Sequence, residues 1–488
     1  MRTRPLSLVL VACVTSCTGC ATATKFPIRA ERYRIDVHLN PRTHEIVGAA
    51  ALDVVRGAAA SPEGSGPVAV DLLLHPDLRI TNVRASRIAV EPRWKISSPT
   101  KAAPSGGDDE TDFSPRRHTI YLSEPFESTT LFVNYRGKLF QDAAAGERPG
   151  EIHNFEMRAH VGEDGIYLAG GYWYPQPATD GDKQPLAEYT LIADPIESMP
   201  LVAGAVPDPH LARQSGRLAW RSPYPLEGMV LVGGPHTVHA REYNGVEIRL
   251  HLKPEQAPHA DGLFTAVMRY LDRYQPLIGP YPASHYSIVD NFFSSGFAFP
   301  TFTLLSSPVI DMGERAQTTH GYLDHEMLHS WWGNGIHVDP DDGNWCEALA
   351  SYGANYYGYV LDGEDEEARR KRRNYSHFLS RIKPEDDKPL GTYGREDGCS
   401  RSIAYDKGAA VFDMLARKMG QNAFWSAMRR FTHEYVGEYA SWEDIRKLCE
   451  RECGADLGPF FEQWVRRGGA PPLSLCPIYR AGVAVVAA

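Results

Sequence analysis

The chain of 488 residues has no apolar run long enough to cross a bilayer, because its longest, Leu6 to Val14, falls well short of the roughly 20 residues a spanning helix needs. It has no basic excess. Its 51 Lys and Arg are outnumbered by 61 Asp and Glu, and a formal charge of -10 excludes a nucleic-acid partner held by a general cationic field. The local cluster Arg369-Arg370-Lys371-Arg372-Arg373 reads as a solvated helix face. No internal repeat stands out, which excludes a solenoid. Cysteine is sparse, with eight in the whole chain, so the fold cannot rest on a disulfide framework. What is present, 43% hydrophobic and 23% charged residues, suits ordinary globular packing in two or three domains.

Residues 1–20 stand apart: Arg2 and Arg4, the short apolar run, then small residues and cysteines, the order of a secretory signal. Val14-Thr15-Ser16-Cys17 resembles a bacterial lipoprotein cleavage box, and Cys17-Thr18-Gly19-Cys20 is a poorer match. Either Cys17 or Cys20 is then the lipidated residue, and neither is followed by the Asp that retains such proteins at the inner membrane. The expectation is an outer-membrane lipoprotein held by a lipid anchor rather than a spanning helix, with plain secretion as the alternative. Beyond the leader lie Cys346, Cys399, Cys449, Cys453 and Cys476. Cys449 and Cys453, four apart in a helical pattern, read as buried thiols.

From Tyr33 to about Val238 apolar and polar positions alternate, as in Tyr33-Arg34-Ile35-Asp36-Val37-His38-Leu39, which predicts an antiparallel β domain over residues 26–238. Stretches rich in Ser, Pro, Gly and Asp at 97–115 and 141–150 are expected to be surface loops. Beyond about Glu242 the period lengthens toward 3.6. Helices are expected at 262–275, 321–334, 345–361, 403–419 and 442–453, giving a mainly α domain over 239–470 and a short tail at 471–488.

His325-Glu326-Met327-Leu328-His329 sets two imidazoles four residues apart on one helix face, with a carboxylate beside the first. This is the two-histidine half of a zinc site together with its general base. A pair of core histidines is the competing explanation. A catalytic zinc needs a third protein ligand and an open position. Glu347, at the start of the helix Asn344-Trp345-Cys346-Glu347, supplies the ligand; alternatively it completes a capping box with Asn344.

His325-Glu326-x-x-His329, then Trp331-Trp332-Gly333-Asn334 and Asn344-Trp345-x-Glu347, resemble the aminopeptidase N family of gluzincin zinc metallopeptidases. The seventeen residues between His329 and Glu347 are one fewer than the family's usual spacing. Tyr405-Asp406-Lys407-Gly408 resembles the family's Tyr-x-Lys-Gly segment, which implies that Tyr405 stabilises the oxyanion; as a plain helix residue it would instead be core. Phe460-Phe461-Glu462-Gln463-Trp464 resembles the end of the family's catalytic domain. The resemblance implies an α+β multidomain fold, an N-terminal antiparallel β saddle followed by a mainly α, thermolysin-like zinc-peptidase domain, and one Zn2+ per chain at His325, His329 and Glu347.

One segment departs from the family. The stretch Gly296-Phe297-Ala298-Phe299 stands where aminopeptidases carry a glutamate for the substrate's free ammonium, and Phe299 occupies the glutamate's place. A phenyl ring cannot pair with a charged amine as a carboxylate does. The family's upstream glutamine is equally missing, with Tyr172-Trp173-Tyr174-Pro175-Gln176 in its neighbourhood. The strand Gly296 to Phe299 can still bind an extended peptide through its backbone. The expected function is therefore that of a zinc-dependent metallopeptidase hydrolysing peptide bonds by metal-activated water, with Glu326 as the base, aminopeptidase-like but lacking the usual glutamate for the free N-terminus. An endopeptidase, a hydrolase of another bond, and a non-catalytic metal-binding lipoprotein scaffold stay open as alternatives.

Overall fold

The computed structural model describes residues 28–57, 68–90, 95–97, 113–142, 157–179, 183–293, 296–313, 319–379, 382–383, 386–393, 403–469, 476–480 and 483–487. The expected signal segment with Cys17 and Cys20, and Cys399, lie outside them, as do nearly all of the expected loop at 97–115 and most of that at 141–150. No helix among the described residues is long and apolar enough to cross a membrane.

In the first half the alternating pattern becomes strands with one face buried. Tyr33, Ile35 and Val37 point into the core from Ile28–Asn40, and Ile46, Ala50, Leu52 and Val54 do so from Glu45–Arg56, its antiparallel neighbour. These two strands lie at the centre of a seven-stranded sheet that reaches Leu78–Ala85 at one edge. The sheet is antiparallel except where Ile28–Asn40 runs parallel to Glu188–Ala193. Two four-stranded sheets complete this half. Trp173 and Tyr174 of the segment around Tyr172 are core residues here.

The second half opens with a five-stranded sheet that the lengthening period did not reveal, in the order Thr237–Tyr243, Val246–Leu252, His285–Asn291, Phe302–Ser306, Gly296–Phe299. The reason for the miss is burial on both faces. Every residue of His285–Asn291 and Phe302–Ser306 is buried, so no apolar–polar alternation marks them. The helix Ala260–Ile278 covers one face with Leu263, Phe264, Val267, Tyr270, Leu271, Tyr274 and Ile278. Val289, Phe302 and Leu304 on the other face meet Val202, Val230 and Val232 of the first half, and this contact fixes the two halves against each other.

The remainder is helical, with one difference from expectation. The segment 321–334 forms an α-helix only over Leu323–Leu328. From His329 the chain runs in tight turns, with the N–H groups of Ser330 and Trp331 donating to the carbonyls of Met327 and Leu328. It then bends at Gly333, whose φ of 102° a residue with a Cβ adopts only with strain and whose N–H donates to the carbonyl of Ile336. The expected helices at 345–361 and 403–419 are present, but each contains a π-helical turn, at Ser351–Tyr357 and Ile403–Lys407. Cys449 is buried in the helix Trp442–Cys453 with its thiol pKa pushed up by that burial, whereas Cys453, expected to be buried as well, is only partly so at the helix end; Cys346, Cys449 and Cys453 are free thiols. The tail carries a hairpin, Cys476–Arg480 with Val483–Ala487.

Candidate metal centre and substrate strand

His325 and His329 sit one turn apart, and their Nε2 atoms are 3.3 Å from each other. Glu347 arrives from a second helix, its Oε2 at 3.4 Å from His325 Nε2 and 3.3 Å from His329 Nε2. All three are buried, at 6%, 7% and 8% exposure, so their convergence is not a chance surface cluster. The capping explanation for Glu347 separates cleanly in the structure. Asn344 alone caps the helix, its Oδ1 accepting from the N–H groups of Cys346 and Glu347, while its own N–H donates to the carbonyl of Tyr393. The Glu347 carboxylate is left to face the histidines.

The electrostatics fit a cation. Burial disfavours charge on His329, yet the Glu347 carboxylate and the Cys346 side chain outweigh it and hold the His329 pKa well above its usual value. Burial likewise works against a charged Glu347, and His329 and His325 more than offset it, keeping its carboxyl well below the ordinary range. Glu347 Oε2 is buried without a hydrogen-bond partner, as suits an atom whose partner is a metal. His329 Nδ1 donates to the carbonyl of Trp332 at 3.0 Å, so Nε2 is the nitrogen that faces Glu347 and that offers a lone pair once a metal displaces its proton. Two imidazoles and a carboxylate are the protein donor set of a catalytic zinc, and His325, His329 and Glu347 would hold it.

Behind this trio lies a polar chain that sequence reasoning missed. Asp324, fully buried, accepts from the N–H groups of Gly321 and His325 through Oδ1, fixing the start of the ligand helix. Its Oδ2 meets His320 Nδ1 at 2.6 Å, and His320 Nε2 meets Asp362, which pairs with Arg273. Burial lowers the His320 pKa less than these two carboxylates raise it, so the ring is held toward its charged form. A signal existed, since Asp324 directly precedes His325. Only the fold shows that its partners lie at 320, 362 and 273.

Tyr405 lies against His325, the rings nearly parallel at 16° and 5.8 Å apart, so the structure brings it to the trio rather than into the core. Two contacts put it there. A Cβ on Gly408 would sit 2.3 Å from the Cβ of Ala348, so only glycine lets the Tyr405 helix approach the Glu347 helix this closely. Lys407, buried, pairs with Asp387 at 2.6 Å, and Asp387 in turn accepts from the N–H of Gly469. That pairing clamps the π-helical turn carrying Tyr405 onto the end of the helical region.

Glu326 is half-buried beside His325 and close to Gly296, where a Cβ would be 3.8 Å from its Oε1. Gly296–Phe299 is the edge strand of the five-stranded sheet, so among the described residues the strand nearest Glu326 has one side without a strand partner. Its side chains are apolar. Phe299 packs on Phe302 at 4.7 Å, and Phe297, 38% exposed, faces Tyr167 and Phe299.

Residues 294–464 match the family described as Peptidase family M1 domain. The chain is similar to aminopeptidase M1-B of Oryza sativa subsp. japonica, 20% identical over 467 residues, covering 87% of this chain and 52% of that one. It thus spans about half the length of this curated relative. In three dimensions it is similar to a mutant of an M1 zinc metallopeptidase from Deinococcus radiodurans bound to a Tyr-Ser-Ala substrate, with TM-score 0.62, 18% identity, and coverage of 92% of this chain and 96% of that one. A yeast LTA4 hydrolase gives TM-score 0.64 at 13% identity, covering 92% of this chain and 69% of that one. At these identities the structural likeness establishes the fold, a sheet-rich N-terminal half and a helical C-terminal half arranged as in the M1 metallopeptidases.

Proposed function

We propose that this chain, with an M1 peptidase domain of aminopeptidase N-like type over residues 294–464, is a zinc-dependent peptidase whose substrate does not need a free amino terminus. The observation that carries the first part is the buried convergence of His325, His329 and Glu347 beside Glu326 and Tyr405. Zinc, when bound, supplies the Lewis acidity that makes water nucleophilic near neutral pH. Glu326 takes the proton of the attacking water and passes it to the leaving amine. The Tyr405 hydroxyl donates a hydrogen bond to the scissile carbonyl oxygen as negative charge gathers on it. The strand Gly296–Phe299 aligns an extended peptide through its free edge, within reach of Glu326.

Phe299 supports the second part. It is packed among aromatic rings where an amine-binding carboxylate would be needed, which favours substrates with a blocked or internal peptide at this position. The proposed division of the chain is a β domain over 26–238, a catalytic domain over 239–470 and a tail over 471–488, tethered to the outer membrane of a bacterial envelope through Cys17 or Cys20. Cys17→Ser and Cys20→Ser variants, followed by membrane fractionation, test the anchor. For the chemistry, the test is cleavage of matched free and N-acetylated peptide libraries by zinc-loaded protein and by Glu326→Gln. The variant is expected to retain zinc and lose at least about 10³-fold in turnover. Turnover that survives this change rejects Glu326 as the base, and an absolute need for the free amine rejects the substrate assignment.

A further inference from the structure

On the first half of the molecule, built from residues separate from the metal centre, lies a concavity of about 580 Å³ whose walls are dominated by positive charge. Arg79, Arg116, Arg136 and Lys138 line it, against the carboxylates of Glu45 and Asp77. Arg79 and Arg136 stand directly opposite each other on adjacent antiparallel strands, Leu78–Ala85 and Ser128–Lys138. A like-charged pair in that register is destabilising, since the two side chains share one face and one end of the ladder. Its neighbours relieve it little. Glu45 approaches Arg136 only to 3.8 Å, and Arg79, Arg116 and Lys138 form no ion pair among the described residues. Phe140, 56% exposed, flanks the cations and rests on His44.

We propose that this concavity is a binding site for a phosphate-bearing anion, with Arg79 and Arg136 as the paired recognition groups and Arg116 and Lys138 completing the cationic wall. Two facing guanidinium groups provide the forked donors that suit a tetrahedral oxyanion, and a bound anion removes the repulsion the empty register carries. The exposed ring of Phe140 lets the site accept an apolar substituent next to the phosphate. Two sources carry this chemistry, a soluble phosphate compound and the headgroup of an anionic lipid.

The test uses the full chain at low ionic strength. Pyrophosphate is expected to raise the thermal midpoint of the wild type and to lose this effect as salt is added. In R79Q/R136Q its affinity should fall by about tenfold or more, while the ligand-free midpoint stays equal or rises, because the like-charged pair is gone. Flotation with phosphatidylglycerol vesicles, against phosphatidylcholine vesicles, separates the sources. Retention on the former alone that R79Q/R136Q abolishes assigns a lipid headgroup, and a response to pyrophosphate without vesicle binding assigns a soluble ligand. If the double variant is poorly folded, Lys138→Gln carries the same comparison with a smaller loss. Absence of both responses in the wild type, or equal binding by wild type and variant, overturns the proposal. Peptide cleavage is expected to be unchanged in either variant.

Discussion

The wall of the site that holds His325, His329 and Glu347 is buried and tied by hydrogen bonds to Trp332 and, through Asp324 and His320, to Asp362, whereas the facing strand Gly296–Phe299 is a half-exposed sheet edge with apolar side chains. The difference is one of constraint. On the metal side each ligand is set by a helix whose position depends on Asp324, Asn344 or the Gly408–Ala348 contact, so few changes leave the geometry intact. On the proposed substrate side, the backbone of Gly296–Phe299 would do the aligning and its side chains would decide what is accepted. On that proposal, specificity would change at Phe299 without disturbing the metal ligands, which lie on other elements.

Replacing Tyr405 by Phe should break the comparison most strongly. Loss of one oxyanion donor is expected to lower kcat by about 10²–10³-fold with KM and zinc content unchanged. A change confined to KM would move Tyr405 to the substrate wall. Asp324→Asn should come next, weakening zinc affinity by about 10–100-fold in a chelator competition, because the ligand helix loses its buried anionic anchor. Unaltered zinc affinity would mean the polar chain behind His325 serves folding alone.

On the other wall, Phe299→Glu is expected to shift the ratio of free to acetylated peptide cleavage by about tenfold toward the free amine, with zinc binding untouched. An unchanged ratio would show that selectivity is set elsewhere than at this strand. The smallest effect concerns pH. Burial, followed by the charges of His236, His285 and Arg249, pushes the His251 pKa down to about 3, and burial holds His236 at about 4. Both rings are neutral in the folded protein, whereas the unfolded chain takes up protons below about pH 6.5. Their contribution to stability is thus complete above that pH and is lost as pH falls toward 4, lowering the thermal midpoint by a few degrees. His251→Gln should flatten this decline in metal-free protein, where the zinc ligands cannot dominate it; an equally steep decline would place the acid sensitivity at other groups.

Much of the site was legible in the chain because its pieces are local. His325, Glu326 and His329 lie within one helical turn, and the alternation around Tyr33 marks a strand with one buried face. The two central strands of the five-stranded sheet were not legible, since strands buried on both sides carry no alternation, and the helix at 321–334 was overestimated because apolar residues continue the pattern through Trp331 and Trp332 after the α-helix has ended at Leu328. The choice between ligand and cap for Glu347 was equally beyond the sequence. Both roles need a carboxylate at the same helical position, and only the direction of the side chain separates them.

What the sequence by itself determined was the pairing of two imidazoles with a carboxylate and the lack of a carboxylate at Phe299, because the pitch of a helix fixes the first and residue identity the second. The tertiary structure decided the rest. Glu347 and Tyr405 reach the histidines, His320 and Asp362 reach Asp324, and Arg79 comes to face Arg136, only through packing and strand register between segments far apart in the chain. No local periodicity encodes such distances.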